Sequence, residues 1–518
     1  MLSPIHIVTI SLGIAFLLGI FGNIPKKLSA SIMLIAVGAI SFITVQWAFA
    51  LYFGQVETAQ IFTAGFEPPY SISLKMGIYE AFFSSLVNII ALLGGIYLFN
   101  TLVKQGKNAI IVFLVFIMSL NVIILTQDLF NLFVFLEVQS IATAGLIVLN
   151  RNKDSIASGF KYMLATGIIA GLLLIGIIFT YYFTGTLNIA DIVNSNALAV
   201  KGGAVAVFLV LIAILLELKP FPANGWALDV YQSVKPGLAA IISAGSASAV
   251  FFVLYKILPL VPEQFYEVIS VLGIITFIGS NIVGLKQSNA NRLLGYSSIG
   301  QMGLLITILG LSPYLGDKLT FIAFAILISH YLAKAGLFWI SGIIKEKNIK
   351  NWSNLRKKPI LMVLFGTFIF ALLGFPPFPG FFGKWELIMQ LAASEQYTWM
   401  TLILVGSFIE GIYLLRWFSD ALKLENTNLS DYKISLNKIT PAFIFGIAVY
   451  VSGYFTGTFV EVANAINYIP LLFIFLIAIL EFLPAWAKNT ISISGVIAYI
   501  IYLYPSVEGD LLRQIFLG

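Results

Sequence analysis

The chain has 518 residues, of which 59% are hydrophobic and 10% charged, and its mean hydropathy is +0.98. That composition excludes a soluble domain of this length, and the absence of cysteine excludes disulfides, cysteine-ligated iron–sulfur clusters and thiol catalysis within the chain. Two histidines, His6 and His330, are too few for a haem or polyhistidine metal site, and the formal net charge of +6 comes from basic residues in loops, not from a nucleic-acid-binding patch.

Apolar runs of about 20 residues recur along the whole length, the pattern of an all-α polytopic membrane protein and not of a β-barrel. About 16 spans are predicted, near 4–22, 29–53, 77–100, 108–127, 129–150, 156–184, 203–231, 236–260, 265–286, 294–312, 319–343, 358–391, 397–421, 437–457, 468–486 and 490–506. The first run lacks a basic leader and a small-residue cleavage site, so it reads as a retained helix. Alternate connectors hold the basic residues, among them Lys26, Lys104, Arg151, Lys235, Lys286 and the dense group in 345–358. The connectors between them carry Glu57, Glu67, Glu263, Glu395 and Glu461. The positive-inside rule makes the basic set cytoplasmic and both termini external, in the cell membrane.

Along the chain, ionisable residues fall inside several apolar runs. A charge at the bilayer centre costs roughly 2.5–3.5 kcal/mol or more, so such groups face a bundle interior or a water-filled cavity. In span five, Glu137 is either an ion-pathway carboxylate or a neutral acid bonded to a neighbouring helix; Asp128, near a span end, reads as a cap or an interfacial residue. Lys161 near the start of span six either snorkels or joins the Glu137 region. Residues 211–231 read LIAILLELKPFPANGWALDVY, in which Glu217 and Lys219 precede a break at Pro220, Pro222 and Gly225. On a regular helix those two side chains would lie about 200° apart. Asp229 follows the break, and Lys256 at the end of span eight reads as a snorkelling lysine. In span eleven, His330 and Lys334 are one turn apart on one face. Residues 372–387 read LLGFPPFPGFFGKWEL, a second break at Pro376, Pro377 and Gly380 followed by Lys384. Glu410 and Arg416 in span thirteen are a candidate internal pair. Irregular backbone at membrane depth survives only when buried in protein or lining a cavity, so two charged breaks in separate halves point to an ion path. No Ser-His-Asp, metal-ligand or nucleotide-binding spacing accompanies them.

Several of these segments resemble one family, the antiporter-like subunits shared by respiratory complex I (its subunits L, M and N), membrane-bound hydrogenases and Mrp-type sodium/proton antiporters (their D-type component). The resemblance runs from about residue 65 to 418 and rests on GFEPPYSISLKMG, QDLFNLFVFLE with Glu137, NRLLGYSSIGQMG, SHYLAKAGLFW with His330 and Lys334, and GFPPFPGFFGKW with Lys384. It implies three N-terminal helices (1–107), two inverted five-helix repeats (108–260 and 261–421) with broken helices seven and twelve, and C-terminal helices (422–518), two of them beyond the usual 14. It also implies half-channels joined by a central hydrophilic axis. Departures from the pattern lie in the first half. Anchored on Pro222 and Trp226, the family's helix-seven lysine falls on Glu217, with Lys219 two residues later. LPDAY becomes ALDVY, which keeps Asp229, and the helix-eight lysine position falls near Ala247 or Ser248. Either Lys219 substitutes, or the route is altered, carries another ion, or is closed.

The leading expectation is a subunit that translocates protons or sodium within a redox-driven respiratory complex of the complex I or membrane-bound hydrogenase kind. It would have no catalytic chemistry or cofactor of its own, and would assemble with other membrane subunits, homologous antiporter-like ones included. Iron–sulfur clusters, nickel or flavin would belong to partners. The alternatives are the D-type component of a stand-alone Mrp-type antiporter and a non-conducting structural subunit.

Overall fold

The computed structural model describes residues 1–21, 24–195, 198, 201–353, 355, 358–423, 434–458 and 460. Spans one to fourteen are all present. They are α1 (Ile5–Ile20), α2 (Lys26–Tyr52), α3 (Ile78–Gln105), α4 (Lys107–Leu125), α5 (Leu129–Ile147) and α6 (Lys153–Thr184). Then come α7a (Lys201–Glu217), α7b (Gly225–Ser233), α8 (Pro236–Leu260), α9 (Tyr266–Gly284), α10 (Ala290–Gly310) and α11 (Leu319–Ile344). The last are α12a (Pro359–Leu373), α12b (Pro379–Ala393), α13 (Tyr397–Leu422) and α14 (Leu436–Gly457). Eleven helices among the described residues are long and apolar enough to cross a membrane unaided. The chain is a multi-pass membrane protein. The spans predicted at 468–486 and 490–506 lie outside the described residues.

The fourth member is broken in α4–α8 and again in α9–α13. Because each set holds an odd number of crossings, the second starts from the opposite side of the bilayer and is inverted relative to the first. α8 is continuous but carries one wider, π-type turn at Ile241–Ser246, a local departure that is frequent at functional sites.

The connectors gather on two faces. On one, Asn150 Nδ2 donates to the Ser233 carbonyl (3.1 Å), Asn289 pairs with Asn348, and Arg416 donates to the carbonyls of Leu285 and Gln287 (2.7 and 3.1 Å). A polar cleft there is lined by Asn152, Lys235, Lys345 and Lys347, so the basic connectors do share a side. The other face carries a hairpin that hydropathy does not reveal, β1 (Ala59–Phe62) with β2 (Ser73–Met76), in register Ala59 to Met76. Its Leu74 and Met76 are buried with Ile40, Trp47 and Val122, and the Ser73 carbonyl accepts from Gln127 N (2.9 Å), which pins the α4–α5 turn. Asp128 in that turn caps α5 as expected, accepting from Asn131 N (2.8 Å). Lys256 does not snorkel. Its Nζ donates to the carbonyls of Ile124 (2.5 Å) and Thr126 (2.8 Å), closing the C-terminal end of α4.

Lipid tails are as apolar as leucine, so helices in a membrane associate through close packing of small residues more than by escape from solvent. α9 and α10 show this. A Cβ on Gly273 would lie 2.4 Å from Thr307 N, and one on Gly303 would lie 2.6 Å from Phe277 N. The outer faces of α2 and α6 instead expose Ile35, Phe42, Phe160 and Ile168, the surface that acyl chains cover. Gly273→Ala should therefore lower the thermal stability of the purified protein, at the overpacking cost of about 1–3 kcal/mol. Gly167→Ala, where nothing lies within 4 Å, should leave it unchanged in the same melt.

Candidate ion-conducting axis

Each break ends a helix inside the membrane and frees the carbonyls of its last turn. In both cases a lysine answers. α7a ends at Glu217, and Lys219 adopts a left-handed backbone (φ +64°) that turns its Nζ back to the Glu217 carbonyl (3.2 Å). α12a ends at Leu373, Gly374 takes φ +76°, and Lys384 Nζ returns from α12b to the Leu373 carbonyl (3.4 Å). An ammonium is also the charge that the negative end of a helix dipole favours.

The left-handed turn changes the expected relation of Glu217 to Lys219. On a regular helix they would face apart, but the helix stops between them and both are buried, at 5% and 6% exposure. Lys219 feels the Glu217 carboxylate, and Glu217 in turn feels both Lys219 and Glu137. Glu137 is half-buried and acts on Glu217, and the acidic neighbour of Lys219 is Glu217. The Lys219 ammonium also lies 5.8 Å from the Trp226 ring centre.

From this pair a buried polar row runs into the second unit. The Tyr162 hydroxyl faces Gln139, Ser140 and Thr143 of α5. Gln139 Nε2 donates to Thr143 Oγ1 (2.9 Å) and to Ser246 Oγ (3.3 Å) in the wide turn of α8. In the same turn Ser243 Oγ meets Ser298 Oγ of α10 at 2.8 Å, with Tyr231 beside both. His330 lies against the Ser243 backbone, although neither of its ring nitrogens makes a direct hydrogen bond. One turn further along α11, Lys334 donates to Ser297 Oγ, and Ser297 Oγ donates to Glu410 Oε1 (2.7 Å). Gln301 Nε2 donates to Glu410 Oε2, and Lys384 faces the same carboxylate. The row thus ends on one glutamate between two lysines, with Glu410 and Lys334 buried and Lys384 half-buried in the second unit.

Two residues expected on the path are elsewhere. Asp229 holds Lys161 (2.7 Å) and Arg292 (2.9 Å) on the basic face, where Lys161 keeps 56% of its side chain exposed. α7b runs outward from the break, so Asp229 lies near its surface end, beside a cavity of about 250 Å³ lined by Asp154, Lys161, Asp229, Gln232 and Lys347. Glu410 and Arg416 do not pair: Arg416 caps the end of α9 while Glu410 joins the buried row. Glu410 carries the same signal that singles out Glu137, an acid within an apolar run. The serine pair and Gln301 in NRLLGYSSIGQMG lie on one side of α10 by their i, i+3 and i+4 spacing, a cue that could have found them.

The family model described as NADH:quinone oxidoreductase/Mrp antiporter, TM matches residues 126–410. NADH-quinone oxidoreductase subunit N of Desulforudis audaxviator is 27% identical over 476 residues, covering 85% of this chain and 92% of that protein. Among solved structures, a chain of the archaeal membrane-bound sulfane sulfur reductase superposes with TM-score 0.80 at 23% identity, covering 89% of this chain and 96% of its own. A chain of the Mrp complex from Dietzia sp. DQ12-45-1b superposes with TM-score 0.79 at 20% identity, covering 89% and 94%.

The shared carboxylate makes the second-unit cluster asymmetric. Glu410→Gln strands the buried Lys334 and the half-buried Lys384 and should cost about 3–5 kcal/mol, the penalty for breaking a buried ion pair from one side. Lys334→Met leaves Glu410 still facing Lys384 and should cost clearly less, as read by thermal unfolding of both purified variants.

Proposed function

The chain belongs to the NADH:quinone oxidoreductase/Mrp antiporter membrane family, and from that membership we propose that it translocates protons or sodium ions as an antiporter-like subunit of a redox-driven respiratory complex. The observation that carries the reading is the buried row from Glu217 and Lys219 through His330 to Lys334, Glu410 and Lys384. Intramembrane ionisable groups in this number are costly, and a series of them joined by neutral polar groups suits ion relay. Buried polar atoms without a protein partner, such as both ring nitrogens of His330 and Oε1 of Gln139, are sites that water completes in a hydrated path. No redox chemistry falls to this chain. Its driving energy comes from partner subunits bearing iron–sulfur clusters, nickel or flavin, and it sits in the cell membrane among homologous membrane subunits. The basic face is then cytoplasmic and the amino terminus external; with an even number of spans the carboxyl terminus is external too.

The redox assignment is supported by the name of the Desulforudis relative. The stand-alone antiporter is supported by the likeness to a chain of the Mrp complex. Gentle purification from the native membrane separates them: iron, nickel or flavin in the co-purifying subunits favours the first, and cofactor-free companions alone favour the second.

For either reading, Lys334→Ala and Glu217→Gln in vesicles holding the assembled complex should lower ion uptake by about 100-fold, the low end of what a positioned proton-transferring group contributes. The partners' electron transfer, where present, should be partly retained. Uptake at the wild-type rate in both variants would overturn the translocation reading.

A further inference from the structure

A second set of contacts connects the first break to Glu410 without passing through the charged row, and it lies on α9. Phe221, within the α7 break, donates its backbone N–H to Thr276 Oγ1 (3.2 Å). Asn224, just before α7b, donates to Ser280 Oγ (3.5 Å). One residue further along α9, Asn281 is fully buried; its Nδ2 donates to the Gly406 carbonyl of α13 (3.2 Å), and its Oδ1 accepts from the Tyr413 hydroxyl (2.9 Å). That hydroxyl also faces Ser297 and the Glu410 carboxylate. Thr276 and Asn281 are about 7.5 Å apart along the helix axis at 1.5 Å per residue.

Both ends of this link are tightly packed. The Phe221 ring lies over Gly279, where a Cβ would come within 2.6 Å of it, and the Phe277 ring lies over Gly406, where the gap would be 2.5 Å. Neither contact leaves room for α9 to slip against the break or against α13. The Tyr413 hydroxyl carries one proton and has two acceptors in reach, Asn281 Oδ1 and Glu410. In the structure it donates to Asn281.

We propose that α9 is a coupling strut in which Thr276 and Ser280 hold the α7 break and Asn281 positions the Tyr413 hydroxyl beside Glu410, so that rearrangement at Lys219 alters the hydrogen bonding of Glu410. Movement of the break turns the Asn281 amide away from the Tyr413 hydroxyl without sliding α9 along α13, and the freed hydroxyl then donates to Glu410. Asn281 and Tyr413 are positioning residues and carry no ion themselves. The two units communicate through a discrete two-position donor, the kind of element that physical coupling between distant sites requires. This inference rests on the ion-translocating reading for its use, but its geometry can be tested separately.

The test uses the purified assembled complex and infrared difference spectra, with the Glu410 carboxyl band assigned by its loss in Glu410→Gln. Tyr413→Phe should shift that band. Thr276→Val, which touches the α7 break and not Glu410, should shift it too, and the double variant should shift it no further than Tyr413→Phe alone. Thr276→Ser, which keeps the hydroxyl, should restore the wild-type band; Ser280→Ala is the substitute for Thr276→Val if that variant does not assemble. In vesicles, Thr276→Val should lower ion uptake by about fivefold, the low end of typical site–site couplings. A Glu410 band unmoved by Thr276→Val and by Ser280→Ala, or additive shifts in the double variant, would overturn the strut. Band shifts as expected alongside wild-type uptake in Glu410→Gln would keep the strut and remove the translocation reading instead.

Discussion

A helix that stops inside a bilayer leaves carbonyls that water cannot reach, and the rest of this molecule is arranged around satisfying them. A lysine does so at both breaks, Lys219 at the end of α7a and Lys384 at the end of α12a. Lys256 closes the end of α4 in the same way, although that helix ends at the membrane face. Each cap places a positive charge in a poorly solvated setting, and such a charge needs a counter-charge close by. At α7 that is Glu217; at α12 it is Glu410, brought from α13. Backbone geometry therefore dictates where the titratable groups stand.

Between the two charged ends the row is built mainly from neutral groups. Gln139, Thr143, Ser246, Ser243 and Ser298 hand hydrogen bonds from α5 to α8 to α10. Neutral hydroxyls and amides can reverse donor and acceptor roles at little electrostatic cost, whereas another buried ammonium would need its own counter-ion. The wide turn of α8 supplies both serines that face this gap.

The spans, their two breaks and the acids and lysines within them are legible in the sequence because each is a local property: apolar length, a proline and glycine cluster, a charge within an apolar run. What is not legible depends on chain folding. Local spacing matches Glu410 with Arg416, six residues away, because no nearby cue points to Ser297, Gln301 or Lys334 on other helices. A helical wheel extended to Lys219 misplaces it, since α7a ends two residues before it. Hydropathy draws Lys161 and Asp229 toward the interior, but the outward course of α7b sets them at the surface. The hairpin escapes a sequence reading because its strands are four residues each, too short for alternation to stand out.

The glycine contacts between α9 and α10 reach beyond packing. With backbone lying on backbone at Gly273, Gly303 and Gly310, these two helices have no side-chain layer to shear and behave as one rigid slab. Ser297, Ser298 and Gln301 on one helix and Thr276, Ser280 and Asn281 on the other are therefore fixed to a common body. Any interruption of the row must then occur along the seams of that slab, at Ser243 on one side or at Lys334 and Glu410 on the other, and not within it. In the proposed ion path, switching then falls to the hydroxyl contacts at these seams while the centre keeps its shape.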